Sequence, residues 1–125
     1  MELQQKKRIL AVDDEENLIE ALTCRLKASD YEVLHAFDGR EALHKAKDES
    51  PDLIILDVML PFLDGFEICR LLKFDSKYKS IPIILLTSKV SDEDKKTGME
   101  VGADAYMTKP FDAKGLLAKI GELLN

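Results

Sequence analysis

Apolar residues fall into short unbroken runs along the chain, separated by longer stretches that carry them three or four positions apart. The first run, Arg8-Ile9-Leu10-Ala11-Val12-Asp13, ends in acid. Residues 16–29 then place Leu18, Ile19, Leu22 and Leu26 on one helical stripe. Residues 31–36 are short and β-prone. After the Asp38-Gly39 turn signal, residues 40–47 read as a helix through Ala42, Leu43 and Ala46. Residues 52–57 are the most apolar run, without polar alternation, as suits a central parallel strand buried on both faces. A loop at 61–64 leads into a helix from 65 to about 75. Residues 81–87 read as a fourth buried strand, with Pro82 at its start where a missing N–H is tolerated. Residues 92–101 are helical, with Gly102 as C-cap, residues 103–108 are a fifth strand, and about 112–124 form the last helix.

Strands alternating with helices in five such pairs predict an α/β fold with helices on both faces of the sheet. Crossovers of this length require parallel strands and right-handed connections. Five strands fit a doubly wound sheet of order 2-1-3-4-5, whose switch point lies between the first and third strands. A closed barrel needs eight such units.

Composition narrows the function classes. The chain has 125 residues, 46% hydrophobic and 34% charged, which reads as one domain over 1–125 with a core at about 7–124. Eighteen basic residues against 24 acidic leave a net charge of −6, which argues against direct nucleic-acid binding. No apolar run reaches the ~18–20 residues that span a bilayer. The N-terminal stretch 1–8 is polar, without a signal-peptide core, so a cytoplasmic place is expected. Two cysteines make no disulfide framework, and Cys24 and Cys69 belong to helices expected on opposite faces of the sheet. His35 and His44 read as surface residues. The absence of Trp, with three Tyr and five Phe, disfavours a stacking site for sugars or bases.

Ligands of open α/β sheets bind beyond the C-terminal strand ends at the switch point. The first strand ends in Asp13-Asp14 and the third in Asp57, so three carboxylates converge there. Alone, Asp13-Asp14-Glu15-Glu16 is an ordinary acidic helix start. The fourth strand brings Thr87 to the same edge, and Lys109 follows the fifth. Two like charges 4 Å apart repel by about 4 kcal/mol at an effective dielectric of 20, so the cluster must hold protons or a cation. Oxygen-only donors select a hard ion, and few protein ligands with room for water and phosphate favour Mg²⁺, with Mn²⁺ as a substitute. Asp57, at the end of the most buried strand, is the best placed to attack phosphorus and form an aspartyl phosphate.

These residues carry a resemblance. Val12-Asp13-Asp14-Glu15, Leu56-Asp57-Val58-Met59-Leu60-Pro61 with Asp64-Gly65, Leu86-Thr87-Ser88, Gly102-Ala103-Asp104-Ala105-Tyr106 and Thr108-Lys109-Pro110-Phe111 are similar to the motifs of receiver domains of two-component response regulators, chemotaxis response regulators among them. The resemblance implies that Asp57 accepts a phosphoryl group from a histidine kinase or a phosphotransfer protein. It implies Mg²⁺ on Asp14, Asp57 and the backbone carbonyl of Met59, with Asp13 acting through water. Lys109 would pair with the phosphoryl group, before a cis Lys109–Pro110 bond. Thr87 would be the switch hydroxyl and Tyr106 the switch aromatic, acting on an effector surface of the fourth helix, fifth strand and fifth helix. Catalysis is then limited to the domain's own phosphorylation and dephosphorylation, in a monomer or a phosphorylation-dependent dimer. Ala105, Gly121 and Asn125 depart from the winged-helix transcription-factor subfamily, which puts dimerisation through that face in doubt.

Two rival functions share these features. A phosphatase-type hydrolase also forms an aspartyl phosphate, but it needs a second acid two residues on, where this chain has Met59. A flavodoxin-like FMN carrier needs a Ser/Thr/Gly-rich phosphate loop after the first strand, where the acids 13–16 repel phosphate.

Overall fold

The computed structural model describes residues 5–125; residues 1–4 of the polar N-terminal stretch lie outside the described residues. The elements are β1 (Arg8–Val12), α1 (Glu16–Ala28), β2 (Glu32–Ala36), α2 (Gly39–Glu49), β3 (Leu53–Leu56), α3 (Gly65–Lys73), β4 (Ile83–Thr87), α4 (Asp92–Glu100), β5 (Ala105–Thr108) and α5 (Ala113–Leu124). The strands form one parallel sheet in the order β2-β1-β3-β4-β5. Both fold class and strand order match the expectation from the hydrophobic pattern.

Successive side chains of a strand point to opposite faces, and this splits each apolar run in two. Leu10, Val12, Ile54, Leu56, Ile83 and Leu85 pack with Ala42 and Ala46 of α2 and Ile68, Cys69 and Leu72 of α3. Ile9, Ala11, Leu53, Ile55, Ile84 and Leu86 pack with Ile19, Leu22 and Leu26 of α1 and Leu116 and Ile120 of α5. A run with no polar alternation is therefore a strand covered twice. Each Leu or Ile side chain so buried stabilises by about 1.5–3 kcal/mol, so the ends of β1, β3 and β4 are held firmly. Cys24 is exposed and Cys69 is buried, both are free thiols, and burial pushes the Cys69 thiol up to about 12.

Element ends differ from the sequence reading where side chains cap them. α2 begins at Gly39 because Asp38 accepts the Glu41 N–H and Glu41 accepts the Phe37 N–H, and it runs to Glu49, past residues 40–47, to a left-handed Ser50. β4 begins after Pro82, and its first N–H, from Ile83, goes to the Asp104 carboxylate rather than to a strand. β5 begins at Ala105, since Gly102, with a left-handed φ of 91°, closes the end of α4 first. α4 is the least anchored helix: Gly98 is its one buried residue, against the Tyr106 side of the sheet. Among the described residues, no helix is long and apolar enough to cross a membrane.

Candidate functional site

The sheet ladder continues one step past two strand ends and sets two acids side by side. The Asp57 N–H donates to the Val12 carbonyl at 3.0 Å, and the Asp13 N–H to Ala36 at 3.2 Å. Past β5, the Lys109 N–H donates to the Thr87 carbonyl at 3.0 Å, which brings the lysine stem over the same edge. Asp13, Asp57 and Thr87, at 2%, 4% and 0% exposure, are the buried polar side chains among the described residues. Such burial is costly unless every polar atom is partnered.

The partners are specific. Lys109 Nζ lies 2.7 Å from Asp13 Oδ2, 3.0 Å from Asp57 Oδ2 and 3.4 Å from Glu15 Oε1. Asp13 Oδ1 accepts the Glu15 N–H at 2.9 Å, and Asp57 Oδ1 accepts the Met59 N–H at 3.2 Å. Thr87 Oγ1 accepts the Lys89 N–H at 3.3 Å. One ammonium thus serves three carboxylates. Burial works against the Lys109 charge, but its bonds to Asp13 and Asp57 outweigh it and raise the lysine pKa. Burial also raises Asp13, and the neighbouring Asp57 adds to it, because a shared cation offsets only part of the penalty.

Asp14 joins this pair from the exposed side: Asp13, Asp14 and Asp57 each offer an oxygen within 4.8 Å of the others. The donors are all carboxylates, with no His or Cys among the three, which fits a hard divalent cation. An open cleft of about 460 Å³ lies alongside, with Asp14, Met59, Asp64 and Lys89 among its walls. Asp13, Asp14, Asp57 and Lys109 come together here, and Thr87 at the end of β4 meets Lys109 through its backbone carbonyl.

Tyr106 hydrogen-bonds to the backbone and not to these carboxylates. Its ring is half-buried beside Gly98, and its hydroxyl donates to the Lys89 carbonyl at 2.6 Å. Burial, with Asp94 and Asp57 nearby, raises the phenol pKa, so the group remains a donor. The Lys109–Pro110 peptide is cis. Two features were not assigned roles by sequence reasoning: the Glu15 contact to Lys109, and Lys89 as the link from Thr87 to Tyr106. Glu15 follows the acid pair directly, a signal that reads equally as a helix start. A backbone acceptor such as the Lys89 carbonyl leaves no trace in residue identity.

Residues 9–121 match the family model of the response regulator receiver domain, and the chain belongs to that family. It is 49% identical over 119 residues to the alkaline phosphatase synthesis transcriptional regulatory protein PhoP of Bacillus subtilis, covering 95% of this chain and 49% of that one. The chain thus spans about half the length of that curated relative. Among solved structures it is similar to a chemotaxis response regulator of Vibrio cholerae, at 39% identity and a TM-score of 0.89, over 96% of this chain and all of that one. It is also similar to the response regulator DrrB of Thermotoga maritima, an OmpR/PhoB homologue, at 35% identity and a TM-score of 0.85, over 96% of this chain and 53% of that one. The protein is a receiver domain of two-component signalling, a family whose general function is phosphorylation on aspartate. Receiver domains bind Mg²⁺ at an acidic pocket and interact with histidine kinases and effectors.

Proposed function

We propose that Asp57 is the phosphoacceptor and that residues 1–125 act as one receiver unit. The observation that carries this reading is the Asp57 carboxylate: buried at the end of β3, beside two further acids, with an oxygen 3.0 Å from Lys109 Nζ. A carboxylate oxygen attacks the phosphorus of a phosphohistidine on a kinase or phosphotransfer protein. The P–O bond forms as the P–N bond breaks, and the imidazole nitrogen keeps the electron pair. Lys109 then pairs with the phosphoryl oxygens, and the Thr87 hydroxyl donates to one of them. Mg²⁺, or Mn²⁺ in its place, would be held by Asp14, Asp57 and the Met59 backbone carbonyl, with Asp13 acting through water; it supplies positive charge to the phosphoryl oxygens. Glu15 competes for Lys109 until the phosphoryl group arrives.

Return to the resting state is hydrolysis by the domain itself, slow to moderate rather than very fast. Met59 has no proton acceptor for the attacking water, and the Lys89 ammonium lies 3.7 Å from Asp94. Phosphorylation adds about −2 charge at the strand ends, and Thr87 passes the change through Lys89 to Tyr106. The output surface is α4, β5 and α5, facing an effector. Since PhoP is a transcriptional regulatory protein, control of transcription is the output this reading favours, with a net charge of −6 keeping this domain itself off DNA. The place of action is cytoplasmic, as a monomer or a phosphorylation-dependent dimer.

The test is direct. Acetyl phosphate with Mg²⁺ is expected to raise the intact mass by one phosphoryl group, and Asp57→Asn to abolish the rise. Equal labelling of Asp57→Asn and the parent removes the assignment.

A further inference from the structure

A glycine in the body of an exposed helix is unfavourable relative to alanine, because it loses more backbone freedom on folding. α4 (Asp92–Glu100, DEDKKTGME) carries one at Gly98 although its neighbours give the helix little anchorage: Gly98 is its one buried residue. The contacts at that position supply a reason. A Cβ there meets the Tyr106 ring at 2.7 Å from Cδ2 and 3.0 Å from Cε2, and Leu85 Cδ1 at 3.3 Å. The first distance is closer than side chains tolerate, so something must move. Leu85 is fully buried in β4, inside the core cluster that also holds α2 and α3 side chains, with nowhere to retreat. Tyr106, on edge strand β5, is only half-buried, and rotation toward solvent is open to it.

We propose that Gly98 is the positioning residue of Tyr106. The slot left by its missing side chain admits the phenol ring under α4, where the hydroxyl reaches the Lys89 carbonyl at 2.6 Å. The Lys89 N–H in turn donates to Thr87 Oγ1 at 3.3 Å, so the slot sits at the far end of a hydrogen-bonded link to the acceptor site. With any larger residue at 98, the ring is driven outward and the link is cut at Tyr106. The functional consequence rests on the reading of Tyr106 as the switch; the slot itself does not.

Two measurements on the 125-residue chain test it. The first is a double-mutant cycle in melting temperature. Gly98→Ala is expected to lower or hold Tm in the parent, and to raise Tm in a Tyr106→Ala background, where only the gain in helix propensity remains. An equal change in both backgrounds overturns the proposal. The second is NMR with 3-fluorotyrosine at 106. In Gly98→Ala the Tyr106 resonance is expected to shift toward the position of a solvent-exposed ring. If the resonance keeps its parent position while α4 amides lose exchange protection, the helix yields instead of the ring, and the proposal fails. Beryllofluoride, a phosphoryl mimic, separates the two readings. It is expected to shift the Tyr106 resonance in the parent and to leave it unmoved in Gly98→Ala, while still loading Asp57 in both. A parent resonance that ignores beryllofluoride overturns the switch role of Tyr106, and the cycle then decides the slot by itself. If the Gly98→Ala resonance moves as far as the parent's, the slot does not govern the ring.

Discussion

Charge at the residue scale is unevenly shared in this site. Lys109 is one cation among Asp13, Asp57 and Glu15, and its shortest contact is with Asp13, at 2.7 Å, rather than with the proposed acceptor. Asp13 nonetheless takes up a proton more readily in the folded chain than its ordinary value of 3.8 allows, since burial and Asp57 outweigh that contact. A folded pKa above the unfolded one means that the native state binds more protons across the window between them. The contribution of Asp13 to stability is therefore greatest below 3.8 and is lost as pH rises through the raised folded value. In metal-free buffer, Asp13→Asn is expected to match the parent Tm at the acid end and to exceed it at pH 7. Paired melts across that range check this; an Asn variant that melts below the parent at pH 7 contradicts it.

Caps decide at the element scale where helices begin near the site. Asp64 accepts the Glu67 N–H at 2.9 Å and starts α3, while Gly65 follows with its N–H on Val58 at 2.8 Å. A Cβ on Gly65 would meet the Asp57 carbonyl at 2.2 Å, so a glycine here lets α3 pack against the strand that carries the acceptor. Losing such an N-cap costs about 1 kcal/mol, which for a domain of this size is roughly 3–5 °C in Tm. Asp64→Ala is expected to melt lower by that amount and to retain acetyl phosphate labelling, because Asp64 is a wall of the cleft and not part of the acceptor cluster. Thermal melts with mass spectrometry of the labelled protein read both; lost labelling at intact fold would place Asp64 in the chemistry.

For the whole molecule, a site that is costly to build without a cation is coupled to folding. A ligand that binds only the native state stabilises it by RT ln(1 + [L]/Kd), about 1.4 kcal/mol at ten times Kd. Mg²⁺ is accordingly expected to raise the parent Tm by several degrees, saturating with concentration, and Asp14→Asn to erase the response. Asp14 is the exposed member of the cluster, so its replacement leaves the buried Asp13–Lys109–Asp57 contacts in place. Titration by thermal shift measures the effect. A parent Tm indifferent to Mg²⁺ would show that these carboxylates hold no such ion.

Fold class, strand order and the convergence of acids were legible from the chain alone. Unbroken runs such as Leu53-Ile54-Ile55-Leu56 have no polar face to offer solvent, and acids placed directly after them must emerge at one edge of a parallel sheet. Those are properties of local period and of order along the chain. The pairings inside the site are different in kind. Lys109 and Asp57 are 52 residues apart, and Lys109 and Glu15 are 94 apart. Which carboxylate the ammonium approaches most closely depends on how the strand ends are staggered, not on any neighbouring residue. The Tyr106 hydroxyl reaches a backbone carbonyl, which every residue type possesses, and the ring fits because position 98 lacks a side chain. A sequence shows that a glycine is there; only the packed structure shows that the missing Cβ is space another residue occupies.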